Sequence, residues 1–303
     1  MNPAFSVVIF TTLIGAAQGL VVTLAVAALG GIAVSPAFQS SALLLALAMS
    51  VVGLGASFLH LGRPERAWRA VLMWRTSWLS REVIVLPLFI AAVARWWLVP
   101  ANPVLPVVVI AFALLLWLCT AMIYACLRFI QEWAHPLTLI NYTLIGQASG
   151  LLLACACAAC AGETTLLRGA GPWALFFTFL ATASRAMSLI RNARLVPKST
   201  LQSATGIRSE RLVQTSMGMS AGAFNTREFF HGKAIGVLKQ VKWAFLICAF
   251  ALPALLMLWG VNASSMLPWC LALIIQIPGL IAERWFFFAQ ARHPQNLYYQ
   301  VVS

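Results

Sequence analysis

Eight stretches of about twenty apolar residues divide this sequence, and a run of that length is what a helix needs to cross a bilayer. They cover roughly 6–30, 38–61, 81–100, 104–127, 137–161, 171–192, 241–261 and 266–289. Of 303 residues, 62% are hydrophobic and 9% charged, and the mean hydropathy is +0.90. Soluble domains of this size do not have such a composition. The expected fold is therefore an all-α integral membrane protein: eight transmembrane helices bundled in one domain over 1–303. A long polar connection, 193–240, lies between the sixth and seventh helices. The first run starts near Phe5 without a basic segment before it and is too long for a signal-peptide core, so no cleavable signal is expected. The seven cysteines, an odd number, fall inside apolar runs and read as small core residues, not disulfides. The run Ala154 to Cys160 resembles a metal motif only superficially, because no compensating ligands accompany it.

The ionisable residues are unevenly placed. There are 20 Lys and Arg against seven Glu and no Asp, a net charge of +13. A balance this basic raises the question of nucleic acid. Here the charges sit in short connections between apolar runs, which reads as topology and a docking surface instead. The N-terminus, the C-terminus and the connections 62–81, 128–136 and 190–242, counted with Arg185, Arg284 and Arg292, hold 18 of the 20 basic residues. The other side keeps Arg95 and Arg168. The positive-inside rule then puts both termini in the cytoplasm.

Polar and small residues fall on particular helix faces. Gly15 and Gly19 form a small-xxx-small face on the first helix, with Gln18 beside it. Ser50, Gly53, Ser57 and His60 share a face of the second. That helix is expected to stop at a left-handed Gly62 followed by Pro64. Residues 65–78 read as a short interfacial amphipathic helix, with Ala67, Ala70, Val71, Trp74 and Trp78 on its apolar face. Ser80 is the expected N-cap of the third helix. The fifth helix begins after His135-Pro136, and Tyr142, Gly146 and Ser149 form a second small, polar wall. The 193–240 connection is too rich in aromatics for a disordered tail and reads as a cytoplasmic docking loop.

The segment 58–82 carries five arginines, Glu65, Glu82 and His60 at one membrane edge, and ionisable residues there are functional hypotheses by default. Glu82 has an ordinary reading as an acid complementing the start of a helix. It has a sharper one as a proton exchanger at the edge of an apolar bundle, a task to which His60 is also suited. A proton-exchanging pair facing a small, polar interior suits a quinone, which needs carbonyl partners, a proton route and an apolar slot. A haem held by two histidines needs both within the bilayer. His60, His135, His231 and His293 all fall at one edge, so no haem is expected.

These segments also resemble a known family. Leu59-His60-Leu61-Gly62-Arg63-Pro64, Ala67-Trp68-Arg69-Ala70 and Ser80-Arg81-Glu82 resemble the DmsC family, membrane anchors of DMSO-reductase-type molybdoenzymes related distantly to NrfD-type proteins. The resemblance extends to Asn2–Ser6, Asn141–Gly150, Asn192–Arg194 and Phe224–Gly232. It implies an eight-helix, haem-free subunit of the bacterial inner membrane, exchanging electrons with ubiquinone or menaquinone. It also implies a four-cluster iron–sulfur subunit and a molybdopterin catalytic subunit as cytoplasmic partners. The family's quinol-reactive histidine and glutamate fall on His60 and Glu82. Arg63, Trp78, Arg81, Asn141 and Tyr142 complete the expected quinone-binding set. The LHLGRP, WRTSWLSRE and SMGMS–FNTREFFHG stretches are most similar to anchors of membrane-bound sulfite-oxidising complexes, which implies electrons flowing from sulfite to the quinone pool. A quinol-oxidising reductase anchor and a purely structural anchor are the alternatives within the family. A solute transporter is the alternative outside it.

Overall fold

The computed structural model describes residues 4–59, 61, 63–215, 235–263, 265–294 and 296. Among them the chain is helical, without strands. The spans are α1 (Phe5–Leu29), α2 (Pro36–Phe58), α3 (Trp78–Leu98), α4 (Leu105–Ala125), α5 (Pro136–Ala161) and α6 (Thr164–Ala193). A short α7 (Leu201–Thr205) follows. Then α8 (Ile235–Phe245) and α9 (Leu252–Asn262) run through a π-helical turn at Leu246–Ala251 as one span, and α10 (Leu267–Ala289) is the last. Seven spans are long and apolar enough to cross a membrane. The eighth is α3, which joins the 3-10 segment Pro64–Met73 at a bend of 105°. The sixth helix begins earlier than its apolar run, at Thr164, and takes in Arg168 and Pro172.

Helices α1 and α5 form the centre. Their spanning stretches are 67% and 72% buried, against 50% at most for the other five long apolar spans. Lipid is as apolar as a side chain, so close backbone packing, not hydrophobic burial, must join them. The glycines supply it. A Cβ on Gly150 would stand 2.1 Å from the Gly19 carbonyl carbon, and one on Gly19 would stand 2.3 Å from the Gly146 oxygen. Gln18 donates to the Ala113 carbonyl at 2.9 Å and ties α1 to α4. Ser50 bonds the Ala46 carbonyl of its own helix, so this polar face of α2 is partly satisfied from within.

At the basic edge, Pro64–Met73 is an exposed 3-10 segment, not an α-helix. The N-cap of α3 is Ser77, whose hydroxyl accepts from the Ser80 amide. The expected cap, Ser80, lies inside the first turn, because Trp78 and Leu79 already adopt helical geometry. Helix α2 ends at Phe58 with Leu59 as its cap residue, and Gly62 and His60 lie outside the described residues. His135 caps α5, its Nδ1 accepting from the Leu137 amide at 3.2 Å. The 193–240 connection is described to residue 215 and includes α7, which Thr200 and Ser203 cap reciprocally. Residues 216–234, with His231, lie outside the described set.

Not all cysteines are core residues. Cys119 and Cys155 are buried, but Cys126 and Cys160 are exposed, because each stands at the end of its helix.

Candidate functional site

Helical rise places the polar interior. Glu82 lies four residues, about 6 Å, inside the start of α3. It is 5% exposed, and its carboxylate accepts a hydrogen bond from the Thr120 hydroxyl of α4. Its partner is thus a side chain on a neighbouring helix; the helix start is capped by Ser77. Trp117, Thr120 and Tyr124 recur at steps of three and four, so they share one face of α4. Tyr124 stacks on Tyr142 of α5 with ring centroids 5.8 Å apart and planes 17° from parallel. Trp133, Phe287 and Phe288 close round these rings, each centroid 5.3–5.4 Å from that of Tyr124. The connection between α4 and α5 folds into the bundle to do this. Trp133 is 4% exposed and donates its indole N–H to the Phe287 carbonyl at 3.0 Å.

Beside this aromatic layer lies an ionic network. Arg185 of α6 approaches Glu283 of α10 with Nε–Oε1 at 2.8 Å, and both side chains are 1% exposed. Arg284 approaches the other Glu283 oxygen at 3.5 Å and places its guanidinium 4.0 Å from the centre of the Tyr142 ring. Phe245 covers Arg185 at 5.5 Å. Phe245 directly precedes the π-turn, and Gln276 donates to the Ala249 carbonyl within that turn at 3.3 Å. Asn141 accepts from the Ser184 hydroxyl at 2.8 Å, next to Arg185 in sequence. Buried charges demand such pairing, because an uncompensated one is costly.

These two arginines depart from the charge distribution expected of the sequence. Arg185 and Arg284 belong to the bundle interior and not to the basic surface. They lie only eight and five residues from the ends of their helices, so hydropathy assigns them to the edge. Thr120, Tyr124, Arg185, Glu283 and Arg284 are not among the expected site residues. An acid and a base adjacent in an apolar run, Glu283-Arg284, is the signal that points to them.

Of the expected residues, Glu82 and Tyr142 are brought to one interior, bridged by Thr120 and Tyr124. Asn141 turns to α6. Arg63, Trp78 and Arg81 stand at the edge. Arg63 is exposed, and the Arg81 guanidinium stacks over the Trp78 ring at 4.2 Å. Arg81 also donates to the Trp74 and Arg75 carbonyls at 3.0 and 2.8 Å, holding the bend before α3.

An apolar cavity of about 440 Å³ opens between α1, α4, α5 and α6. Val26, Leu114 and Trp173 form its exposed rim, and Trp117, Gln147 and Leu151 lie on its buried side. Thr143 lines it as well. Trp117 stands one turn from Thr120. Its indole N–H has no hydrogen-bond partner among the described residues. Gln147 donates only a long bond, 3.4 Å, to Thr23. A hydroxyl, Thr143, and an amide, Gln147, on an apolar slot fit a carbonyl-bearing ring with an apolar tail. No group of three or more His, Cys, Asp or Glu that could hold a metal occurs among the described residues.

The comparisons with known proteins agree with this architecture. The chain is 48% identical to a sulfite dehydrogenase subunit of Allochromatium vinosum, over 327 aligned positions that cover the whole of both chains. The family description DMSO reductase anchor subunit (DmsC) matches residues 1–289. A match of that extent, on an all-helical membrane bundle, establishes that the chain belongs to the DmsC family of membrane anchor subunits.

Proposed function

We propose that this chain is the quinone-reactive anchor of a three-subunit molybdenum and iron–sulfur oxidoreductase that oxidises sulfite. The carrying observation is Glu82, a carboxyl inside the bundle, bonded to Thr120 and one turn along α4 from Trp117, which lines the apolar cavity. Sulfite as substrate rests on the full-length relative, whose name is that of a sulfite dehydrogenase subunit. A DMSO-type reductase anchor would run the same site in the opposite direction.

Quinone reduction consumes two electrons and two protons. The electrons come from the iron–sulfur partner, which in turn takes them from a molybdopterin subunit. The residues of this chain bind and protonate. Thr143 and Gln147 supply the groups that donate to a carbonyl oxygen, and the rim of Val26, Leu114 and Trp173 admits the tail from the bilayer. Glu82 delivers a proton through the Thr120 hydroxyl, which can donate and accept in one relay. Tyr124 and Tyr142 continue the polar line toward Arg284. Arg81, stacked on Trp78, holds the edge where the partner docks, and Arg63 and His60 lie on the same connection. His60 serves as the second proton-exchanging group and Asn141 fixes α5 against α6. The iron–sulfur subunit docks on the basic cytoplasmic face, including 193–240, with both termini on that side of the inner membrane.

The test is purification of the complex from its native membranes in mild detergent, with sulfite oxidation assayed against a quinone and against an artificial dye. Co-purified iron–sulfur and molybdenum subunits with sulfite-dependent quinone reduction are expected. Glu82→Gln should lower quinone-linked turnover about 100-fold or more, the usual scale of general acid–base loss, and leave dye-linked activity intact. Full quinone activity in that variant would remove Glu82 from the mechanism. The same subunits without sulfite activity would move the substrate to another molybdoenzyme of the class.

A further inference from the structure

At the end of the bundle opposite the arginine-rich connections, the Cys160 and Cys270 sulfurs are in contact at 3.4 Å. They are 110 residues apart in sequence. Cys160 is in the last turn of α5, two residues before Gly162, which ends the helix in a left-handed conformation (φ 75°). Cys270 is in the first turn of α10, two residues after Pro268. Both positions are thus held by regular helix, one at a defined stop and one at a defined start. Cys160 is exposed and Cys270 partly so, which leaves the pair open to a reagent.

We propose that Cys160 and Cys270 form a disulfide that staples the outer ends of α5 and α10. Closing the gap from 3.4 Å to the ~2.05 Å of an S–S bond needs an approach of about 1.4 Å. The proposal depends on the orientation read from the basic residues and not on quinone chemistry. With the arginine-rich face in the cytoplasm, the pair lies at the outer edge, in the compartment where disulfides persist. The oxidant is an extracytoplasmic protein disulfide. One cysteine thiolate attacks it to give a mixed disulfide and release one thiolate of the oxidant. The second cysteine thiolate then displaces the other. One S–S bond forms and one is broken. The two electrons go to the oxidant, which leaves as a dithiol carrying the two protons.

The staple has a structural consequence. Helices α5 and α10 carry, at their inner ends, Tyr142 and the Glu283-Arg284 pair that meets it. Fixing the outer ends limits how far the two helices can splay, and so how far Arg284 can leave the Tyr142 ring.

The experiment uses the complex in its native membranes. Free thiols are capped with N-ethylmaleimide during denaturation; the sample is then reduced and labelled with a polyethylene-glycol maleimide. The wild type should gain two labels, and Cys160→Ser and Cys270→Ser should each gain none. Mass spectrometry of the unreduced digest should find one peptide joining the two positions. A wild type that gains no label overturns the proposal. A membrane-impermeant maleimide separates the causes: labelling of Cys160 as a free thiol from outside refutes the bond but keeps the orientation, whereas labelling only from the cytoplasmic face refutes both.

Discussion

Glu283→Gln removes the carboxylate that stands between two buried guanidinium groups. The Arg185 contact is 2.8 Å with both side chains 1% exposed, so little water screens it. Two unit charges about 4 Å apart interact by about 4 kcal/mol at an effective dielectric of 20. Breaking a buried pair by deleting one partner costs about 3–5 kcal/mol, because the other charge is left uncompensated. Arg284 should contribute less, since it lies farther away, at 3.5 Å, and keeps the Tyr142 ring at 4.0 Å. The expected loss is therefore about 3–5 kcal/mol, roughly a 100-fold to 5,000-fold shift toward the unfolded state. Reversible unfolding in mixed dodecyl sulfate and mild-detergent micelles measures it. Arg185→Met with Glu283→Gln, read against each single variant, removes both members of the 2.8 Å pair and leaves Arg284 against the Tyr142 ring. That double variant should be less destabilised than the sum of the two singles, by a coupling energy of about 2 kcal/mol or more. A single variant within about 0.5 kcal/mol of wild type, or a double variant equal to the sum of the singles, would refute the account of this network as a coupled buried pair.

Gly150→Ala places a methyl carbon against the α1 backbone, 2.1 Å from the Gly19 carbonyl carbon, where no side-chain rotation relieves it. It should cost at least the roughly 1–3 kcal/mol typical of overpacking and reduce assembled complex on a native gel; unchanged assembly would mean α1 and α5 are not that close. The His135 cap predicts a pH effect, because its Nδ1 must be unprotonated to accept from Leu137. Burial, with Arg191 adding repulsion, holds its folded pKa below the ordinary 6.5. The folded state then binds fewer protons than the unfolded one, so this contribution is present above about pH 6.5 and is lost as pH falls through the lowered value. His135→Asn, which keeps a cap acceptor, should flatten that part of the stability profile below about pH 6.5; an unchanged slope would place the titrating group elsewhere. Glu132, in the same connection, has its pKa raised by burial, so its contribution has the opposite sense: it is present at low pH and lost as pH rises through the raised value.

Local chemistry is what the linear order of residues records well. The Pro136 start of α5 and the bend before Glu82 can be read from a few neighbouring side chains. The N-cap of α3 is ambiguous at that level, because Ser77 and Ser80 are both good caps and only the backbone conformation at Ser77, extended at φ −108° and ψ 126°, separates them. Glu82 is recognisable as a membrane-edge carboxyl, but its partner is not, since Thr120 is 38 residues away on another helix. Arg185 looks like a surface charge for the same reason, since its carboxylate, Glu283, is 98 residues away on another helix; Arg284 has that acid as its neighbour, but the Tyr142 ring it meets is equally remote in sequence.

By itself, then, the sequence determined that this chain spans a membrane as an all-helical bundle, which face is basic, and that it resembles the DmsC anchors, because apolar run length, charge asymmetry and local motifs are properties of consecutive residues. The tertiary structure alone decided which side chains meet: Glu82 with Thr120, Tyr124 with Tyr142 and Arg185 with Glu283 in the interior, and Cys160 with Cys270 at the end of the bundle away from the arginine-rich connections. The physical reason is that these pairs depend on how helices distant in sequence are rotated and pressed together. That rotation is set by the backbone contact of glycines between α1 and α5 and by the need to pair every charge that the bundle takes out of water.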